Sequence, residues 1–219
     1  MYCGSNKTAL ASQELIADAF VSLLREKSYE SISISQICRK AGISRQTFYS
    51  LFASKENIVA YELERKHSFT PGTTCCGGEM TLEQLCHEYS CYIAEKKEFL
   101  SLLADNGIFY QLHDCLYQSF MNCACFLPSE SDDKRAYASE FIAGGLSGTA
   151  RIYIEKGSPA GCSDLEDTLM MLFSGEFLKI NRKIKTAAAM MNCSSLSEVS
   201  DFRDFILPGE SRPASGPAR

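Results

Sequence analysis

Ile34-Ser35-Gln36-Ile37-Cys38-Arg39-Lys40-Ala41-Gly42-Ile43-Ser44-Arg45-Gln46-Thr47-Phe48-Tyr49-Ser50-Leu51-Phe52 reads as two short helices joined by a tight turn. Ser33 and Gln36 have the spacing of a capping box, and Ile32 with Ile37 occupies the staple positions around it, so a helix starts there. It stops near Gly42, because glycine takes the left-handed conformation that ends a helix at no steric cost. Ser44 then caps a second helix, with Ile43 and Phe48 as its staple. Phe48 and Phe52 lie four residues apart on one face and pack inward, which leaves Arg45, Gln46, Thr47 and Tyr49 pointing outward.

Working outward, Leu15, Ile16, Ala19, Phe20, Leu23 and Leu24 recur at three- and four-residue steps and predict an amphipathic helix from about Ser12 to Lys27. On the other side, Ser54 flanked by Ala53 and Ile58 repeats the cap-and-staple arrangement and predicts a helix from Lys55 to about Lys66. Two short helices joined by a glycine-containing turn and braced by a longer helix form the helix-turn-helix layout. In that layout the second short helix, thin and polar on one face, enters the DNA major groove.

The charge distribution agrees with this reading only when it is divided by region. The 219 residues carry a formal net charge of -5. Residues 1–66 hold nine Lys/Arg against seven Asp/Glu, or +2, and residues 67–219 hold 13 against 20, or -7. Between Ser35 and Lys55 stand four basic residues, Arg39, Lys40, Arg45 and Lys55, with no acidic residue among them. Such a patch suits phosphate.

The segment from Ile34 to Glu56 resembles the signature of the TetR family of transcriptional regulators: an Ala-Gly-hydrophobic-Ser turn at Ala41 to Ser44, then Thr47, Tyr49, Phe52, Lys55 and Glu56. The resemblance implies that Thr47, Tyr49 and Lys55 bind phosphates, that Arg45 and Gln46 reach base edges, and that Ser35, Ser44 and Ser50 belong to the same contact surface. Cys38 stands where a small alanine is common, and Gln46 where glycine or proline is common, so the operator sequence does not transfer from a relative. The implied fold class is all-α, an N-terminal three-helix helix-turn-helix domain followed by a helical ligand-binding and dimerisation domain.

Beyond residue 66 the stretch Thr70-Pro71-Gly72-Thr73-Thr74-Cys75-Cys76-Gly77-Gly78 has no apolar periodicity and several breakers, as expected of a linker. The expected division is therefore 1–66 for the DNA-binding domain, 67–80 for the linker, 81–207 for the C-terminal domain and 208–219 for a disordered tail. Thr81 with Gln84 predicts a capped helix to about Ala104, and further helices are expected at about Phe109 to Phe126, Asp133 to Lys156 and Ser163 to Met191, the last opened by Ser163 and Glu166 at capping-box spacing.

Gly144 and Gly148 fall on one helical face, where missing side chains let a neighbouring helix approach; the alternative is a contact within the chain. The stretch around them resembles the dimerisation helix of TetR-family proteins, which implies a homodimer held through Phe141, Gly144, Gly145, Gly148, Tyr153, Met170, Phe173 and Phe177. Tyr89, Tyr92, Phe99, Phe109, Tyr110, Tyr117 and Phe120 supply enough aromatic surface to line a pocket or to fill a core. By the resemblance this region takes a small-molecule effector.

The function expected is a transcriptional regulator, most simply a repressor, that binds a palindromic double-stranded DNA operator as a homodimer and is released by that effector. No paired-carboxylate, nucleophile-base or Gly-rich phosphate motif supports an enzyme, and no cofactor or metal is expected. One alternative uses the 11 cysteines: Cys75, Cys76, Cys86, Cys91, Cys115, Cys123 and Cys125, with His87 and His113, would make a metal or redox sensor, although no CxxC pair is present. Another is a co-regulator acting through a protein partner. No apolar stretch approaches the roughly 18 residues that span a bilayer, no export signal is read at the start, and a cytoplasmic location without membrane association is expected.

Overall fold

The computed structural model describes residues 4–65, 69, 81–124, 126–157 and 162–175. These residues form eight α-helices and one 3-10 turn, with no strand among them. The helices are α1 (Lys7–Glu26), α2 (Ile34–Ala41), α3 (Arg45–Leu51), α4 (Lys55–Glu64), α5 (Leu82–Asp105), α6 (Tyr110–Asn122), α7 (Asp132–Glu155) and α8 (Cys162–Phe173), and the 3-10 turn at Tyr29–Ser31 separates α1 from α2. The all-α class expected from the sequence is observed.

α1 starts five residues ahead of the expected Ser12. Asn6 caps it, its Oδ1 accepting from the Thr8 amide at 2.9 Å, so a local polar cap and not the first apolar residue sets the start. The buried face is Ile16, Ala19, Phe20, Leu23 and Leu24, while Leu15 of the same stripe is 52% exposed. α2 opens with the expected capping box: Ser33 N–H donates to Gln36 Oε1 at 2.9 Å and Gln36 N–H to Ser33 Oγ at 3.3 Å. It ends at Gly42, which has φ +68°, in the left-handed region that a side chain at Cβ disfavours.

α3 is capped by Ser44, whose Oγ accepts from the Thr47 amide at 3.0 Å. Ser54 occupies the cap position of α4 without making a capping bond; its hydroxyl serves the Glu56 carboxylate instead. Thr81 and Gln84 form the second capping box, at α5.

The expected helix from Ser163 to Met191 is corrected at both ends. α8 begins at Cys162, placing Ser163 inside the first turn, and Glu166 pairs with His87 at 2.9 Å and not with a cap. It ends at Phe173, and Gly175 follows with φ +71°, which turns the chain. The expected helix at Phe109 to Phe126 is shorter as well: Phe109 is its N-cap and Cys123 its C-cap. The rest of the 67–80 linker apart from Phe69, the remainder of the expected last helix with Phe177, and the 208–219 tail lie outside the described residues.

One apolar core runs through the described helices. Phe20, Phe48, Phe52 and Ile58 at the N-terminal end belong to the same buried cluster as Tyr89, Leu100, Phe120 and Leu146. α4 is held to α5 by polar bonds as well. Lys96 is 8% exposed, and its Nζ donates to the carbonyls of Glu62 and Arg65 at 2.6 Å each. The Tyr92 hydroxyl donates to the Leu63 carbonyl at 3.2 Å. The carbonyls that the end of a helix leaves without internal partners are thus satisfied by the neighbouring helix, and α4 ends at a defined place on α5.

Candidate nucleic-acid interface and adjoining cleft

α3 is a seven-residue helix, too short to be stable alone. Its position comes from Phe48 and Phe52, both 0% exposed, and Leu51, at 5%. The opposite face carries Ser44, Arg45, Gln46, Tyr49 and Ser50, all exposed, with Thr47 half-buried between the faces. Tyr49 is 56% exposed, and its ring meets Phe48 edge-on at 5.4 Å, so its direction is fixed from below while its hydroxyl faces solvent.

The eight residues expected to contact DNA are not equivalent in this arrangement. Ser44 Oγ is occupied by the cap and by Thr47 Oγ1 at 2.9 Å, and Ser50 Oγ folds back on the Thr47 carbonyl at 2.7 Å. Ser35 is exposed on α2. Among the described residues Arg45 forms no ion pair, whereas Lys40 is bound to Glu26 at 2.6 Å. The unengaged side chains on the exposed face of α3 are therefore Arg45, Gln46 and Tyr49, two donor-rich groups and a hydroxyl.

Lys55 is engaged within the fold. Its Nζ donates to the Tyr29 carbonyl at 2.9 Å and sits 4.1 Å from the centre of the Tyr29 ring, a cation–π arrangement. The Tyr29 hydroxyl in turn donates to Glu56 Oε1 at 2.5 Å, and the Tyr29 amide donates to Asn106 Oδ1 at 2.8 Å. Hydrogen bonds from Ser54 and Tyr29 hold the Glu56 carboxyl below its ordinary range, and burial pushes the Tyr29 phenol up. Tyr29 thus ties the start of α4 to the end of α5, and no periodicity in the sequence announces that role.

Behind this junction lies a cleft of about 950 Å³ between α4 and α6, reached by Phe69 and by Tyr92 of α5. Of the seven aromatic residues expected around a pocket, Tyr92 and Tyr110 line it. Tyr89, Phe99, Phe109 and Phe120 are buried, and Tyr117 packs against the core. The walls are more polar than expected: Glu56, Asn57 and Glu64 come from α4, and Gln111, Gln118 and Asn122 from α6. The signal for the α6 wall was present as polar residues at positions 111, 118 and 122, spacings that return to one helical face.

Cys38, Cys86 and Cys123 are buried, Cys115 is partly buried and Cys91 is exposed. Burial pushes the Cys86 thiol up to about 11 and the Cys115 thiol up to about 12, opposite to the shift that makes a thiolate reactive. Cys91 Sγ lies 3.8 Å from His87 Nε2, and no group of three metal-ligating side chains occurs among the described residues. Cys75, Cys76 and Cys125 lie outside them.

On α7, Phe141 is 77% and Tyr137 80% exposed. A Cβ built at Gly144 or Gly148 would meet no atom within 4 Å, and at Gly145 only the Phe173 ring at 3.8 Å. Gly144 and Gly148 therefore accommodate no contact within the described chain. Tyr153, Met170 and Phe173 are half-buried against the core.

The exposed polar face on a short, capped and core-anchored second helix defines a helix-turn-helix DNA-binding protein. Residues 16–61 match the family described as bacterial regulatory proteins, tetR family. The chain is 32% identical over 108 residues to the HTH-type dhaKLM operon transcriptional activator DhaS of Lactococcus lactis subsp. lactis (strain IL1403), a match covering 48% of this chain and 50% of that protein. It is 39% identical over 56 residues to the uncharacterized HTH-type transcriptional regulator YwcC of Bacillus subtilis (strain 168), covering 26% of this chain and 25% of that protein. The chain spans about half the length, or less, of these curated relatives. The solved structure of the dihydroxyacetone kinase operon activator DhaS aligns with 76% of this chain and 96% of its own at 20% identity and a TM-score of 0.46. On the match at residues 16–61 and the named regulators, the N-terminal part of the chain is a DNA-binding helix-turn-helix of the TetR type, as found in transcriptional regulators. No described helix is long and apolar enough to cross a membrane.

Proposed function

We propose that the chain binds a palindromic double-stranded operator as a homodimer, with α3 of each copy in a major groove, and that a small molecule in the cleft between α4 and α6 releases it. The observation that carries the DNA-reading part is the unengaged trio Arg45, Gln46 and Tyr49 on a helix anchored by Phe48 and Phe52. An arginine there suits the two acceptors of a guanine edge, and a glutamine suits adenine. Tyr49, Thr47 and Lys55 serve phosphates, with Ser35, Ser44 and Ser50 beside them. Residues 1–66 then act as the reading head, 67–80 as connector and 81–207 as the sensing and dimerising part.

The second copy is supported by the α7 face, where Phe141 is exposed and Gly144 and Gly148 have open space over them. A helix from a second copy can approach there as closely as the missing side chains allow. Release by a ligand is supported by the geometry of α4, which lines the cleft through Glu56 and Glu64 and begins four residues after α3 ends. A ligand that binds one placement of α4 better than another biases the separation of the two reading helices. The sign of regulation is a separate matter, since the relative DhaS is an activator by name; we propose a repressor. Selection of bound sequences from random duplex DNA tests the reading: a two-fold symmetric consensus is expected, and no enrichment overturns it in favour of action through a protein partner.

A further inference from the structure

The cleft between α4 and α6 has a charge character that its aromatic residues do not reveal. Its described lining includes three carboxylates, Glu56, Glu64 and Asp114, and no lysine, arginine or histidine, although His113 beside the cleft reaches Asp114 Oδ1 with its Nδ1 at 3.3 Å. Glu56 is already held by Ser54 and Tyr29. Glu64, exposed at the rim, is different: partial burial raises its carboxyl, and no cation among the described residues acts against that shift. The field of Glu64 reaches the other groups in the cleft. Burial raises the Cys115 thiol, with Glu64 and Asp114 adding to it, and burial raises the Tyr92 phenol, with Cys115 and then Glu64 adding to it. Two titratable groups, Cys115 and Tyr92, therefore feel the Glu64 carboxylate. Gln111, 5% exposed, also lines the cleft, and its Nε2 approaches the Tyr29 hydroxyl without a well-formed hydrogen bond.

An anion entering this space would meet like charge, and a neutral apolar molecule would desolvate Glu64 further with nothing in return. A cation does the opposite, supplying the opposite charge that Glu64 lacks and finding aromatic faces at Phe69, Tyr92 and Tyr110, to which ammonium-type groups are attracted. The volume of about 950 Å³ is at the upper end of small-molecule sites and leaves room for an apolar body beside the charge. Resting on the reading of this cleft as the effector site, we propose that its ligand class is an organic cation with an aromatic or aliphatic body, its charge held by Glu64 and Asp114.

The test uses two ions of nearly equal shape and opposite charge, tetraphenylphosphonium and tetraphenylborate, titrated calorimetrically into the full chain. Phosphonium should bind, and about tenfold or more tightly than borate, since one opposite charge with aromatic contact readily supplies that factor. Glu64→Gln should remove most of that preference, and Asp114→Asn, at an exposed position, should remove part of it. Equal binding, preference for borate, no binding of either ion, or an unchanged preference in Glu64→Gln would overturn the assignment. Operator affinity measured in the same samples separates the two readings. Phosphonium that binds without changing operator affinity leaves the cation assignment standing and defeats the effector reading. Operator release by uncharged compounds, with phosphonium inert, defeats the cation assignment and keeps the effector.

Discussion

The reading head and the cleft are built from different kinds of information. In the head every decisive feature is local: Ser33 bonds Gln36, Gly42 turns the chain, and Ser44 bonds Thr47, each within three residues. The cleft takes one wall from Glu56 and Glu64 and the other from Gln111 and Asp114, about 50 residues further along the chain. A buried aromatic means different things in the two places. Phe48 under α3 holds an exposed surface in position, whereas Tyr89 and Phe120 fill the bundle and leave the cleft to polar side chains. Composition alone therefore marks the head's function better than the cleft's.

The largest effect that tests this contrast is expected from Phe48→Ala. Phe48 is 0% exposed, and such truncations cost about 3–5 kcal/mol. Because Phe48 shares a core cluster with Leu100 and Phe120, the loss should appear as a shift of one cooperative transition in denaturant. A change confined to probes in the head, with the bundle unaffected, would instead show two regions that unfold separately.

Gly144→Leu should act on assembly without disturbing the fold. The added side chain meets nothing within the described chain and replaces a poor helix former, so monomer stability should hold. Overpacking against a second copy costs about 1–3 kcal/mol; light scattering should show a shift toward monomer, and operator affinity should fall with it. An unchanged mass would place the dimer contact elsewhere.

Lys55→Ala is the smaller and sharper test, because Lys55 stands between the two regions. Loss of its bond to the Tyr29 carbonyl should cost about 1.5 kcal/mol, as for hydrogen bonds to charged groups. If the same ammonium also serves a phosphate, the log-log salt slope of operator binding should fall by about 0.9. Lower stability with an unaltered slope would make Lys55 a lock on α4 and remove it from the DNA surface.

How much was legible follows from these interaction ranges. The two capping boxes, the Gly42 turn and the inward pair Phe48 and Phe52 were legible because the rules that place them operate over three or four residues. The start of α1 was missed because Asn6 caps a polar first turn that carries no apolar stripe. The early end of α8 was missed because the apolar pattern continues past Gly175, where the backbone turns. The bonds of Lys55 and Tyr29 were not legible for a third reason: their partners, from each other to Asn106 and Glu56, are brought together by tertiary packing alone. The cleft belongs with them, since its acidic character depends on which faces of α4 and α6 meet.

The central claim, that the exposed face of α3 reads base edges, is tested most directly by comparing the binding-site profile of Arg45→Ala with that of the unaltered chain on the same randomised duplex pool. The account predicts that preference is relaxed at one base pair in each half-site, symmetrically, at a cost of about 1–3 kcal/mol, with the remaining positions and the salt slope retained. A uniform weakening across all sequences, with the profile unchanged and the slope reduced, would show Arg45 at a phosphate and contradict it.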